Sequence, residues 1–196
     1  MAGSYFGLDQ RDFLFQGSPT SLLAENFPHN EITTDLVASL TTQVMTSVGV
    51  PLVAGSVVST MSICSGATAL ATPAHAWMAL YSPAGNLLGQ STDVPAQALA
   101  ANTVLTHTFA TGTGTGGSIP ITTTGIYFAA VMIQATTVPT LIGRASGAVV
   151  AGQLALNTAL GFPAISQTSG SSLTTTAPAS IATPTNLIVV PYVALR

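Results

Sequence analysis

Short apolar runs separated by turn residues recur along this chain, and the clearest of them predicts a β-hairpin. Residues 76–81 form an apolar run with an aromatic residue near each end, too short for an ordinary helix. Residues 82–86 then supply turn residues, with Pro83 presetting φ for the first corner. The apolar pattern resumes beyond the turn, so residues 74–92 are expected to fold as a hairpin, with Trp77 anchoring a core.

A second apolar stretch, residues 124–134, predicts a strand next to that hairpin. Its odd-numbered and even-numbered positions are both apolar. A strand of this kind is central in a sandwich, or another subunit covers its outer face. Ile126, Phe128 and Met132 on the outer face are therefore the candidates for an oligomer interface.

Further strand-like segments with turn signals at short spacing follow residue 40, about eight to ten strands in all. This pattern predicts an all-β fold, an antiparallel jelly-roll-like β-sandwich over residues 39–196. Pro191 within the last apolar segment, residues 187–195, favours an edge position or a bulge. Residues 161–185, rich in Ser, Thr, Pro and Ala, predict a long loop that is functional, disordered or held by a neighbour.

Residues 1–38 differ from the rest of the chain and predict an extended N-terminal arm. Five of the six acidic residues and four of the seven phenylalanines lie there. A cluster of exposed aromatic side chains typically marks a contact surface. The arm could dock onto a neighbour or onto its own domain, and composition does not choose between the two. We expect it to attach the domain to a partner through Phe6, Phe13, Phe15 and Phe27.

Charged residues make up 5% of the chain, far below the usual share of about 25%. The chain has no Lys, three Arg and a net charge of −3, so it cannot neutralise a run of phosphates and no nucleic-acid partner is expected. The chain contains no uninterrupted run of about 18 or more apolar residues, which a membrane-spanning helix would require. A surface so poor in charge favours burial between copies in a homo-oligomer.

The first 15 residues include charged side chains and lack the apolar centre of a secretory signal. This predicts synthesis and folding in a cytoplasm.

A glycine-rich stretch matches the spacing of a dinucleotide-binding motif. Gly112, Gly114 and Gly117 satisfy G-x-G-x-x-G, but that motif requires a strand before it and a helix after it. Here Pro120 leads into a strand-like segment. We interpret the stretch as a flexible loop tip, and no cofactor is expected.

The ionisable side chains do not combine into an active or metal site at the sequence level. His29, His75 and His107 have no His or Cys at ligand spacing, so no metal is expected. Asp93 is the only acid after residue 35, and no nucleophile-elbow motif occurs. Cys64 stands alone in an apolar run and is interpreted as a small buried hydrophobe. An enzyme is not expected, and an esterase-like hydrolase is the weakest alternative.

Four segments carry a resemblance to a known family. Residues 77–93 contain an apolar strand ending in Leu-Tyr, a turn with Gly-Asn, and Leu-Leu followed by Thr-Asp. Residues 125–131 resemble the family's Gly-x-Tyr-Tyr-x-Ala-Leu strand, and residues 187–195 resemble its closing strand. Residues 139–144 are similar to its Pro-x-Phe step, with Leu141 in place of Phe. The family consists of structural proteins of tailed phages that infect actinobacteria.

The resemblance covers about residues 40–196, and residues 1–38 have no counterpart in it. It implies a non-enzymatic virion protein displayed on the particle surface as a head decoration or minor tail component. It also implies major capsid or tail proteins as partners, and the virion as the location. Since decorations and fibres of this kind are commonly threefold, it implies a trimer.

A carbohydrate-binding or host-receptor-binding module built on the same sandwich is the second hypothesis. Such a module would present aromatic side chains near its loop tips. The candidates outside the arm are Tyr81, Phe162 and Tyr192. Its partner would be a host-surface glycan.

Overall fold

The structure, a computed structural model, describes residues 22–32, 34–36, 40–112, 114–145 and 166–196. These residues form fifteen β-strands and two short 3₁₀ turns, His29–Glu31 and Thr115–Gly117. In chain order the strands are β1 (Ala24–Glu25), β2 (Thr34–Leu36), β3 (Met45–Leu52), β4 (Val57–Val58), β5 (Thr60–Cys64), β6 (Ala71–Tyr81), β7 (Leu87–Ser91), β8 (Val104–Gly112), β9 (Ile119–Pro120), β10 (Gly125–Thr137), β11 (Leu141–Ala145), β12 (Ser166–Ser169), β13 (Thr185–Asn186), β14 (Val189–Pro191) and β15 (Val193–Leu195).

Ten strands form one sheet in the order β1-β15-β5-β8-β7-β6-β10-β3-β12-β13, and each of its pairings is antiparallel. The register shifts between Gln90 and Ser91, where β7 meets β8. Met61 of β5 and Leu195 of β15 share one apolar core with Met78 of β6, so the sheet folds back on itself around that core. The predicted all-β, antiparallel, sandwich-like fold is confirmed.

Two smaller sheets complete the described fold. β11 lies between β14 and β2, and Leu36, Leu141 and Val190 of these strands are buried. β4 pairs with β9. The predicted closing strand is divided into β14 and β15, with Pro191 ending β14 at an edge of the three-stranded sheet. The expected edge position of this proline is confirmed, because an edge strand tolerates a missing N–H donor.

The predicted hairpin is β6 and β7, and the predicted neighbouring strand is β10. Ala79 lies opposite Gln90 within the hairpin, and its turn contains Gly85 with φ of 80°. That positive φ is readily adopted by glycine because it has no Cβ. β10 pairs with β6 from Phe128 opposite Tyr81 to the far end of both strands. The two strands lie at the middle of the ten-stranded sheet, as expected.

Alternation along β6 and β10 gives the sheet two apolar faces. Residues at even positions of β6 and odd positions of β10 join the first core cluster, which lies inside the folded-back sheet. Residues on the opposite face form a second cluster, whose buried members are Met45, Trp77, Ala79, Tyr81, Phe128, Ala130, Met132 and Ala177. Trp77 is 1% exposed, so its predicted core position is confirmed.

The structure corrects the predicted domain boundary at residue 38. β1 pairs with β15, and β2 pairs with β11, so the described part of the arm belongs to the sheets of the domain. The Leu23 N–H also donates to the Leu195 carbonyl at 2.8 Å. The change in composition near residue 38 therefore does not coincide with a boundary of the domain, because described residues on its N-terminal side pair with strands of the domain.

Candidate functional site

One of the four attachment phenylalanines, Phe27, lies within the described residues, and it packs on its own domain. Its ring meets the Tyr192 ring edge-on, with centroids 5.7 Å apart. The Arg144 guanidinium lies 5.8 Å from the Phe27 ring centroid, in a cation–π arrangement. Phe6, Phe13 and Phe15 lie outside the described residues.

Glu25 is the buried centre of the contacts that hold this segment. It is 6% exposed and accepts a hydrogen bond from the Tyr192 hydroxyl at 2.8 Å. Burial, together with the hydrogen bond and charge of Glu25, raises the pKa of Tyr192. His29 lies 3.5 Å from the same carboxylate, and Glu31 pairs with Arg144 at the surface.

Asn26 adds two hydrogen bonds to the C-terminal strands. Its side-chain amide donates to the Pro191 carbonyl at 2.7 Å and accepts from the Val193 N–H at 3.0 Å. Together with Glu25, it fixes the segment 23–31 along β15 at the edge of the ten-stranded sheet. Glu25 and Asn26 therefore tie this N-terminal segment to the C-terminal strands of the same domain.

Two of the three predicted interface residues are covered by the chain itself. Phe128 is 6% exposed and Met132 is 0% exposed, whereas Ile126 is half-buried. The cover is a segment, residues 170–182, that we call the strap. Leu173, Ala177 and Ile181 of the strap pack on the second cluster. In this conformation Phe128 and Met132 are not available to a second copy, which corrects their assignment as an open interface.

Side chains of the sheet hold the strap by its backbone. The Trp77 indole N–H donates to the Thr174 carbonyl at 2.8 Å, and the Tyr81 hydroxyl donates to the Pro178 carbonyl at 2.9 Å. The Gln90 side-chain oxygen accepts the Ala177 N–H at 2.7 Å. Three side chains thus bind strap main-chain atoms. Burial raises the pKa of Tyr81, so its hydroxyl stays protonated and remains a donor.

Backbone hydrogen bonds fix the two ends of the strap. The Leu173 N–H donates to the Gln43 carbonyl at 3.0 Å. At the other end, the Ile181 N–H donates to the Gly85 carbonyl at 2.9 Å, and Asn86 and Ser180 form an antiparallel bridge. The strap therefore runs from the start of β3 to the turn of the central hairpin, and sequence reasoning did not find it.

The other ionisable groups considered as site candidates are His75, Asp93, His107 and Cys64. His75 Nδ1 lies 2.7 Å from Asp93 Oδ2, and Asp93 Oδ1 accepts the Ala76 N–H at 3.1 Å. His107 lies on the core-facing side of β8, where its Nε2 is buried without a hydrogen-bond partner, and burial lowers its pKa. Cys64 is half-buried, and burial raises the pKa of its thiol. Within the described ranges, no three His, Cys, Asp or Glu side chains are grouped to hold a metal.

The glycine-rich stretch owes its glycines to close packing. A Cβ on Gly117, whose φ is 83°, would lie 2.0 Å from the Phe109 carbonyl oxygen. A Cβ on Gly112 would lie 2.4 Å from the Gly117 carbonyl oxygen. The stretch forms a tight turn that leads into β9 and not into a helix. It therefore lacks the helix N-terminus on which a phosphate-binding loop depends.

A surface cavity of about 460 Å³ lies between two loops. Its lining is apolar apart from the Gln97 side chain. The lining residues are Ala69, Leu70, Pro73, Ala96, Gln97, Ala98, Leu99 and Ala100. With no ionisable group in that lining, the cavity offers a surface for apolar contact and no acid–base chemistry.

Comparisons with family models, curated proteins and solved structures found no match to this chain. No helix formed by the described residues is both long enough and apolar enough to cross a membrane. The functional conclusion therefore depends on the residues and their contacts.

Proposed function

We propose that the chain is a non-enzymatic structural protein of a tailed-phage particle, displayed on its surface as a head decoration or minor tail component. The proposal joins the family resemblance to one structural observation, the use made of the ionisable groups. Among the described residues, Glu25, Glu31, Asp93, His75 and Arg144 all bind other parts of the same chain. Groups used in this way stabilise a domain, whereas acid–base catalysis needs groups that face a substrate.

The segments that carry the resemblance coincide with the centre of the fold. Residues 77–93 include the C-terminal part of β6, from Trp77 to Tyr81, and all of β7, and residues 125–131 lie in β10. These strands adjoin one another in the ten-stranded sheet. The resemblance therefore concerns residues that build the framework, which supports a shared architecture as the basis of the proposal.

Attachment is assigned to the part of the arm that precedes the domain. In the sequence, residues 1–21 precede β1, which is an edge strand of the ten-stranded sheet. They contain Phe6, Phe13 and Phe15, three aromatic side chains suited to a contact with a capsid or tail protein. Phe27 instead helps to anchor the arm to its own domain.

A homo-oligomer, in the form of a trimer, is part of the proposal. Its support is the scarcity of charge, with nine acidic and basic side chains among 196 residues. A contact between copies through Phe128 or Met132 requires the strap to move, because both residues are buried in the cluster on which the strap packs.

The glycan-binding alternative receives less support from the described residues. Tyr81 is buried under the strap, and Tyr192 is half-buried against Glu25. Neither ring is presented as an open platform for a sugar. Phe162, the third candidate, lies outside the described residues.

The test is to look for the chain in purified phage particles. Mass spectrometry of banded virions should detect it at a fixed ratio to the major capsid or tail protein, and gold-labelled antibodies should locate it on head or tail. A chain present in the infected-cell lysate and absent from intact particles would contradict the proposal. Labelled chain that binds host cells, yet is absent from virions, would favour the receptor-binding alternative.

A further inference from the structure

The strap lies over the second cluster through a small number of apolar contacts. Ala177 is 4% exposed, while Leu173 and Ile181 are half-buried. Most other strap residues are exposed, including Ser171, Ser172 and the run 174–176. A segment with few buried apolar contacts and a largely exposed surface has low local stability.

The polar groups under the strap can exchange their partners for water. Trp77, Tyr81 and Gln90 direct an N–H, an O–H and an amide oxygen toward strap backbone atoms. When the strap lifts, water can bind each of these groups in place of the strap. Opening therefore leaves no buried donor or acceptor unsatisfied at these positions, which removes the main polar cost of separation.

The sheet has its own support when the strap is away. β6 and β10 are paired along most of their length, and β3 flanks β10 on the other side. Their opposite face packs in the first core cluster, to which the strap contributes no residue. The pairing of β6, β10 and β3 and the first core cluster therefore do not depend on the strap.

We propose that the strap opens as a unit from a sheet that stays folded, uncovering an apolar face built from Trp77, Tyr81, Phe128 and Met132. The closed state is the one described above. In the open state the single Trp of the chain meets solvent. The two states exchange without global unfolding.

A disulfide across the end of the strap provides the test. Asn86 and Ser180 form a non-hydrogen-bonded antiparallel pair, because the flanking hydrogen bonds join Leu87 to Ala179 and Ile181 to Gly85. The Cα atoms of such a pair lie about 4.5 Å apart, within the range of a disulfide. Asn86→Cys with Ser180→Cys, in a Cys64→Ala background, should lock the strap when oxidised.

Native-state hydrogen exchange and acrylamide quenching of Trp77 are the two measurements. In the unlocked chain, the amides of Ala177, Ile181 and Leu87 should exchange at least about tenfold faster than those of β10. Oxidation of the lock should slow these three amides by at least about tenfold and reduce quenching of Trp77, with β10 exchange unchanged. Reduction of the same variant is the matched control.

A second variant keeps the test independent of disulfide formation. Ile181→Ser removes one apolar anchor of the strap, so it should speed strap exchange and increase Trp77 quenching while leaving β10 exchange unchanged. Strap amides that exchange at the rate of β10 amides in the unlocked chain would overturn the proposal. Equal acceleration of strap and β10 by Ile181→Ser would overturn it as well, since both results mean that the strap leaves only on global unfolding.

Discussion

Trp77 makes two separable contacts, an apolar one through its ring and a polar one through its indole N–H. Trp77→Ala should lower the free energy of unfolding by about 3–5 kcal/mol, because it leaves a cavity in the second cluster. Thr174→Ala is the matched control, since the Thr174 acceptor is a backbone oxygen and its side chain is exposed. The control should stay within about 0.5 kcal/mol of wild type. Urea titration followed by circular dichroism measures the free energy of unfolding of both variants. Similar decreases in the two variants would contradict the assignment of the Trp77 ring to the second cluster.

His107 is expected to make the domain less stable in mild acid. Its folded-state pKa is lowered by burial, so the folded protein favours the neutral ring. The contribution of neutral His107 to the free energy of unfolding is complete above the unfolded-state pKa of about 6.5. It is lost as the pH falls through that value toward the lower folded-state pKa. From about pH 7.5 to about pH 5.5, wild type should lose more unfolding free energy than His107→Gln. The control variant Thr108→Ala, at an exposed neighbouring position, should lose as much unfolding free energy as wild type over this pH range. If His107→Gln also loses as much as wild type, the role of His107 is refuted.

The sequence predicts a residue's environment well where the cause is local. The position of Trp77 in a short apolar strand was sufficient to predict its burial. The role of Gln90 could not be read in the same way, because its partner Ala177 lies 87 positions away. In the sequence, a polar residue at an outward-facing strand position looks the same whether its side chain faces water or binds the main chain of a segment packed over the sheet.

At the scale of elements, the proposal assigns attachment to residues 1–21, whereas the residues that form β1 have a structural role. Deletion of residues 1–21 should leave the stability of the domain unchanged and reduce its occupancy on particles. Deletion of residues 1–26 should also lower the free energy of unfolding by about 2–4 kcal/mol, since it removes β1 and the hydrogen bonds of Glu25 and Asn26. Thermal unfolding and quantitative mass spectrometry of particles separate the two effects. Normal occupancy after the shorter deletion would exclude the arm as the anchor.

Substitution of the phenylalanines supplies a finer version of the same experiment. Phe6→Ser, Phe13→Ser and Phe15→Ser together should reduce occupancy with no change in thermal stability. Phe27→Ser should lower stability, because that ring packs against Tyr192 and Arg144. The reverse pattern would place the attachment surface at Phe27.

The hairpin was predictable because its two apolar runs and its turn residues, 82–86, all lie within about twenty consecutive residues. The strap was not predictable as a cover. Its composition is that of an ordinary loop, and the contact between Trp77 and Thr174 spans 97 positions. The arm was misplaced for a related reason: β1 pairs with β15 near the C-terminus and β2 pairs with β11, and both partners are distant in the sequence.

At the scale of the whole molecule, the strap determines which surface two copies can share. If the proposed trimer forms through Phe128 and Met132, the oxidised Asn86→Cys/Ser180→Cys lock should reduce it to a monomer of 19.7 kDa in light scattering. Reduction should restore a species of three times that mass. A trimer that persists in the locked chain would place the contact on another face. A monomer in both redox states would exclude this homo-oligomer.

The main-chain contacts of the strap also leave the exposed side chains of its run 174–176 free to vary. Trp77 and Tyr81 donate to main-chain carbonyl oxygens, which every residue type provides, and Gln90 accepts a main-chain N–H, which every residue type except proline provides. The fold therefore depends little on the exposed side chains of Thr174, Thr175 and Thr176. Substitutions can therefore accumulate there without loss of the fold, and a short foreign epitope grafted into this run would be exposed on the outer side of the strap.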